Sequence, residues 1–401
     1  MDKLKLLINL VINLSFYLIT KCIPKKNNLW VFGGWFGNRY SDNSKAFFEY
    51  INSEQRHVEA VWICKDEQII EHVRSLGLKA FHEKSVTGLW CQLRAKFAFV
   101  CQSLHDDIYA PCIGKKTTVV NLWHGLPLKK IMYDVFGDKV VKKNLVGKLF
   151  EILSPYQKIR NDYLLATSEE TQNTLSKAFR LPKERTLITG FPRNDIFLKP
   201  LSIPVTATPA PTNTSYICIY MPTFRGGKGS ECDLFAQYGF DVKMIDEQLV
   251  KNNIELVLRM HPVNKPPQYI IEEIKHSISI SIDNSADIFD SIAQYDCMIT
   301  DYSGGYFDFL LTGRPILFAP FDLEKYKQQE RDLYYPYEDV TLKPYAYTWP
   351  ELIDNIVTVK KGNLPLGYQQ EYEALQLQFH QPLTTAVKGF SDDLYQKISQ
   401  L

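Results

Sequence analysis

No Asp-x-Asp pair occurs anywhere in the 401 residues, so the carboxylate couple that usually holds a metal-bound nucleotide sugar is missing. There is no G-x-x-x-x-G-K-[ST] loop, no G-x-S-x-G elbow and no G-x-G-x-x-G spacing. Those absences argue against a P-loop nucleotide site, an α/β-hydrolase nucleophile and the standard dinucleotide fingerprint. The eight cysteines form no C-x-x-C pair and no zinc spacing, and most stand inside apolar runs, which reads as reduced core thiols in a cytosolic setting. Neither sign of charge dominates: 46 Lys and Arg against 45 Asp and Glu leave +1 and no charged tail. The broad basic field that nucleic-acid binding requires is therefore absent, and no nucleic-acid partner is expected. No internal repeat is visible. No long hydrophobic run is present either: the longest uncharged apolar stretch, residues 6–20 (LLINLVINLSFYLIT), falls short of the roughly 20 residues that span a bilayer.

That stretch is nonetheless informative. Asp2, Lys5, Asn9, Asn13 and Thr20 recur at helical spacing and form a narrow polar stripe, with Lys21, Lys25 and Lys26 following. The pattern predicts a helix over residues 1–25 that associates with a membrane surface, its lysines meeting anionic head groups. A helix packed on the protein's own surface is the competing reading.

The remainder has an ordinary globular composition, with 45% hydrophobic and 23% charged residues, and a length that favours two domains. Short continuous apolar runs (NNLWVFGG, VEAVWICK, AKFAFVCQ, KTTVVNLWH, DYLLATS) alternate with helical patterns, and a second such series begins at YICIYMPTFR. Unbroken apolar runs indicate strands covered on both faces, hence parallel sheets with helices on both sides. The Pro- and Thr-rich 201–214 reads as a linker between an N-terminal domain, 26–200, and a C-terminal domain, 215–401. Two such Rossmann-like domains would face each other across a ligand cleft.

Polar residues collect where these strands end: His124; Thr223 and Arg225, with Lys228 beyond; Arg259 and His261; Asp301 and Ser303. Ligands of open α/β sheets bind outside the carboxyl ends of strands, so the placement points to a site. In DYSGG, Ser303, Gly304 and Gly305 open a helix and could receive a phosphate; capping of that helix by Ser303 or Asp301 explains the same residues. Without a metal motif, the charge of a diphosphate would fall to Arg, His, Lys and backbone N–H groups.

Taken in order, NLWHGLPLKKI, ATSE, GFPRND, YMPTFR, RMHP and ITDYSGGYFDFLLTGRPILFAPFDLEKY, preceded by DNSKAFFEYI, resemble the CDP-glycerol glycerophosphotransferase family of teichoic acid primases and polymerases. The resemblance runs from about residue 28 to 335. It implies a GT-B fold, a peripheral protein of the cytoplasmic membrane face, a CDP-polyol donor, a lipid-linked or polymeric glycan acceptor, release of CMP, and no cofactor or metal. It further implies His124 as general base, with His261 serving the donor phosphate or stabilising charge. Thr223, Arg225, Arg259, Thr300, Asp301, Ser303, Gly304 and Gly305 would bind the donor; Gly125, Lys129, Arg193 and Asp195 would lie on the acceptor side. Gly304 replaces the second serine of the family's TDYSS turn. A glycosyltransferase using a nucleotide sugar, and a non-catalytic glycan-binding relic, remain the competing readings.

Overall fold

The computed structural model describes residues 3–55, 57–136, 152–198, 215–225, 233–261, 264, 266–329 and 332–401. The interdomain linker expected at 201–214 and Lys228 lie outside the described residues. The chain forms two compact units, Met1–His124 with Met132–Asp195 and Gln381–Leu401, and Gly125–Ile131 with Ile196–His380.

The first unit is built on a parallel sheet of β1 (Lys26–Phe32), β2 (Glu59–Cys64), β3 (Ala80–His82), β4 (Ala95–Val100), β5 (Thr118–Asn121), β6 (Tyr163–Ala166) and β7 (Thr186–Ile188), in the order β3-β2-β1-β4-β5-β6-β7. The second carries β8 (Tyr216–Met221), β9 (Ile254–Leu258), β10 (Ile280–Ile282), β11 (Cys297–Thr300) and β12 (Ile316–Phe318), ordered β10-β9-β8-β11-β12 and again parallel. Each order reverses once, between β1 and β4 and between β8 and β11. At such a switch point the flanking connections leave in opposite directions and open a crevice. The apolar runs are strands for the reason their composition indicates: Val31, Val61, Ala98 and Val119 are fully buried between covering layers. Aromatic rings fill the first interior, with Phe32 stacked on Phe99 at 4.7 Å, and Trp349 organises the second against Tyr220, Phe235 and Phe240. The short β3 and β7, each three residues, carry too few apolar positions to stand out in the sequence.

Two segments depart from a contiguous division at 200 and 215. Residues 125–131 belong to the second unit, where Lys130 N donates to Asp332 O at 2.8 Å and Tyr334 N to Leu128 O at 2.9 Å. The final residues return to the first unit. Phe390, Leu394 and Ile398 of the last helix, Phe390–Ile398, are buried there, and Tyr50 donates to Asp392 at 2.6 Å. A stripe of apolar side chains at helical spacing needs a partner surface, and the first unit supplies it.

The N-terminal stretch is a helix, α1 (Lys3–Ile19), about 25 Å long at 1.5 Å per residue. No helix among the described residues is long and apolar enough to cross a membrane. Its polar stripe does not face outward as a whole. Asn13 accepts a hydrogen bond from the Tyr109 hydroxyl, Phe16 packs edge-on against Tyr109, and Thr20 is buried at 2% exposure against Gly114. Leu4, Leu7, Val11 and Leu18 are left exposed instead. Asn13 and Thr20 thus hold the helix to the protein, and its apolar side is the one displayed.

Truncation of the fully buried Leu394 to Ala should cost the first unit about 2–5 kcal/mol, read as a lowered urea midpoint with the second unit's transition unchanged.

Candidate active site

His124 stands three residues beyond the end of β5, and its placement is set by the backbone around it. Asn121 Oδ1 accepts from Trp123 N at 2.9 Å, and Trp123 adopts φ +56°, a left-handed value that a bulky residue rarely takes. Gly125 follows at φ +150°, which favours glycine. The imidazole lies 4.0 Å from the Trp123 ring and 6.0 Å from that of Trp35, centroid to centroid. Its Nδ1 is 3.1 Å from the carbonyl oxygen of Cys101, at the end of β4. A carbonyl can only accept, so Nδ1 carries the proton and the neutral ring presents Nε2 as a proton acceptor. Burial pushes the His124 pKa below the usual histidine value, a shift that Asp42 and the Cys101 carbonyl partly oppose. The result is an imidazole biased toward its neutral form, with Nδ1–H directed at the Cys101 carbonyl.

Arg193 belongs to this setting. Its side chain is 5% exposed, pairs with Asp42 at 2.6 Å and donates to the His124 carbonyl at 2.9 Å. The structure therefore places Arg193 behind His124, within the protein, and not at an exposed acceptor surface. Asp195, also expected on the acceptor side, accepts from Phe390 N at 2.6 Å and Ser391 N at 3.1 Å and so caps the last helix. Neither Asp42 nor Asn43 is singled out by sequence reasoning, although both stand in the matching DNSKAFFEYI motif.

In the second unit the expected donor residues gather at the switch point. Thr223 and Arg225 follow β8, Asp301 and Ser303 follow β11, and His261 follows β9. Asp301, fully buried, accepts from Thr223 N at 2.7 Å and from Arg225 Nη2 at 2.7 Å. Arg225 also reaches Asp322 through Nε and Nη2 at 2.9 and 2.8 Å, a two-pronged contact suited to a guanidinium. Burial works against its charge, but Asp301 and Asp322 outweigh burial and hold it more firmly protonated than usual. Asn264 completes the arrangement, donating to Arg225 O and accepting from Arg225 N, both at 2.7 Å. Arg259 is similarly occupied, paired with Asp283 and donating to Ser285 Oγ at 2.8 Å. Thr300 donates to Met221 O at 2.8 Å, joining β11 to β8. These residues build the strand ends. Asp322 and Asn264 have no signal beyond their place in the APFDLEKY and HPVN stretches.

Thr223 and the ammonium of Lys129 are buried in the same framework. The Thr223 hydroxyl has no hydrogen-bond partner among the described residues. The His261 ring packs 5.0 Å from Phe224. The Lys129 ammonium lies over Phe224 at 5.0 Å and over Tyr326 at 4.8 Å, so it is held against aromatic faces in the second unit. Ser303 Oγ accepts from Gly305 N at 3.3 Å, one residue ahead of Gly304, the N-cap of the short helix Gly305–Phe309. A Cβ on Gly304 would stand 2.2 Å from the carbonyl of Leu126, so the glycine in place of serine is what lets residues 125–131 close onto this turn. No group of three or more His, Cys, Asp or Glu residues that could hold a metal ion exists among the described residues.

A doubly wound α/β enzyme is thereby defined, with a histidine seated on a backbone carbonyl in one unit and a cluster of charged and aromatic side chains at the switch point of the other. Within that class the chain belongs to the CDP-glycerol:poly(glycerophosphate) glycerophosphotransferase family, whose profile matches residues 15–380. It is 27% identical to the teichoic acid glycerol-phosphate transferase of Staphylococcus aureus (strain NCTC 8325 / PS 47), over 88% of this chain and 89% of that protein. It is 26% identical to the teichoic acid poly(glycerol phosphate) polymerase of Bacillus spizizenii, over 86% of each chain. Among solved structures it is similar to the wall teichoic acid polymerase TagF, with a TM-score of 0.72 at 20% identity over 99% of this chain and 95% of that one. A TagF structure soaked with CDPG gives 0.71. At that identity the likeness speaks for the fold.

Arg225→Ala would strand two buried carboxylates. It should lower the stability of the second unit by about 3–5 kcal/mol, measured by urea unfolding, with Arg225→Lys recovering part of the loss.

Proposed function

We propose that the protein transfers glycerol phosphate, or another polyol phosphate, from a CDP-activated donor to a hydroxyl of a lipid-linked or polymeric acceptor, in synthesis of a teichoic-acid-like wall or capsule polymer. The observation that carries this is His124, neutral, with Nδ1 committed to the Cys101 carbonyl and Nε2 available. An acceptor hydroxyl is a weak nucleophile near neutral pH, and Nε2 takes its proton as the oxygen attacks the polyol-bearing phosphorus. The bond from that phosphorus to the bridging oxygen breaks, and CMP leaves with both electrons. Charge on the phosphoryl oxygens and on CMP falls to His261 and the backbone N–H groups of Ser303 and Gly304. Arg225, Arg259, Thr300 and Asp301 then contribute by shaping that surface, since their polar atoms are engaged with one another or with neighbouring loops. Lys129 would serve the donor or acceptor charge from its aromatic seat. The GT-B arrangement of the two units is part of this proposal, as is turnover without a metal.

The displayed apolar side of α1, with exposed Leu4, Leu7, Val11 and Leu18 and the following Lys21 and Lys25, supports a peripheral site at the cytoplasmic face of the membrane.

Two experiments test these readings. Incubation with CDP-glycerol and CDP-ribitol should release CMP, unaffected by EDTA, with His124→Ala inactive and the acid limb of the rate lying below about pH 6.5, where a depressed histidine still remains neutral. Full activity of His124→Ala would rule out the base assignment. Replacing Leu4, Leu7, Val11 and Leu18 by Gln should release the protein from membranes with unchanged melting; continued pelleting would point to another anchor.

A further inference from the structure

Seven non-glycine residues have positive φ in the described chain, and four of them, Trp35, Phe36, Asp42 and Trp123, lie in or beside the pocket of His124. Backbone of this kind costs about 1–3 kcal/mol per residue and persists only where the surroundings over-determine it. Asn43 is the residue through which the surroundings act. It is the second residue of α2 (Asp42–Glu54) and fully buried. Its Nδ2 donates to the Leu122 carbonyl at 3.2 Å and to the Trp123 carbonyl at 2.9 Å, and its Oδ1 accepts from Arg193 N at 3.2 Å.

These partners fix the orientation of the amide, because two carbonyls demand donors and an N–H demands an acceptor. They also leave no inexpensive substitute. Arg193, held by Asn43 through its main chain, uses its guanidinium to reach the His124 carbonyl and Asp42. Three successive carbonyls, those of Leu122, Trp123 and His124, are therefore gripped by side chains from two distant parts of the sequence. The left-handed turn at Trp123 and the approach of Nδ1 to Cys101 O at 3.1 Å are the consequence. None of the side-chain bonds of Asn43 serves its own helix or the sheet; each ends on the segment carrying His124 or on Arg193.

We propose that Asn43 is the positioning residue of His124: its carboxamide, together with Arg193, holds residues 122–124 in the strained turn that seats Nδ1 on the Cys101 carbonyl and leaves Nε2 free. The inference rests on the reading of His124 as the base, but its decisive measurement does not require turnover. In the full-length protein, ring ¹⁵N signals assigned by comparison with His124→Ala should show His124 as the neutral Nδ1–H tautomer. Asn43→Asp keeps the size of the side chain and sets an acceptor against two carbonyls. It should convert that signal to a tautomer mixture and, where CMP release is observed, lower kcat by about 10²-fold with KM for the donor unchanged. Should Asn43→Asp not fold, Asn43→Ser, which keeps one donor, carries the same measurement. An unchanged His124 tautomer in the folded variant overturns the proposal and leaves Asn43 as a core residue. Absence of CMP release from the wild-type protein overturns the proposed function, while the tautomer signal still decides the role of Asn43.

Discussion

The buried ion pair between Arg193 and Asp42, with side chains 5% and 6% exposed, is the constraint on which the first unit's chemistry depends. Two charges removed from water at this depth are tolerated only if their remaining hydrogen-bonding capacity is used. Here most of it is: Asp42 also accepts from Trp35 Nε1 and from Asn43 N, and Arg193 also donates to the His124 carbonyl, while Arg193 Nε alone of these groups is left without a hydrogen-bond partner among the described residues. The pair ties the start of α2, the turn after β5 and the segment after β7 into one body. Hydrophobic contacts of equal area would be insensitive to a shift of an ångström between those segments, whereas hydrogen bonds to charged groups are not.

The second unit repeats the device with different residues. Arg225 stands between Asp301 and Asp322 with rings of Tyr302 and Tyr326 about 5 Å away on its faces. The guanidinium joins the ends of β8 and β11 to the loop after β12. In both units, then, an arginine that reads as a ligand contact is spent on the scaffold.

Much of this was legible in the chain. The parallel strands followed from unbroken apolar runs such as AVWIC and FAFV, and the strand ends followed from the polar residues that close them. His124 and Ser303 could be placed at those ends because a loop after a buried strand has one place to go. Asp42, Asn43, Asn264 and Asp322 were not legible, since a short polar residue at a helix start or in a loop carries the same local signature whether it caps, faces water or grips a carbonyl far away in sequence. Asp195 shows the converse: it lies in a motif that resembles a catalytic family, and its work is to cap a helix nearly two hundred residues later.

By itself, the sequence determined the class of fold and the family, because apolar periodicity and motif order are local properties of a chain. Only the tertiary structure decided which charged residues hold the protein together, and which side of α1 is displayed. Those outcomes depend on hydrogen bonds between residues remote in sequence, such as Asn13 with Tyr109 and Arg193 with Asp42, and the directionality of those bonds exists only once the partners have been brought within about 3 Å of each other.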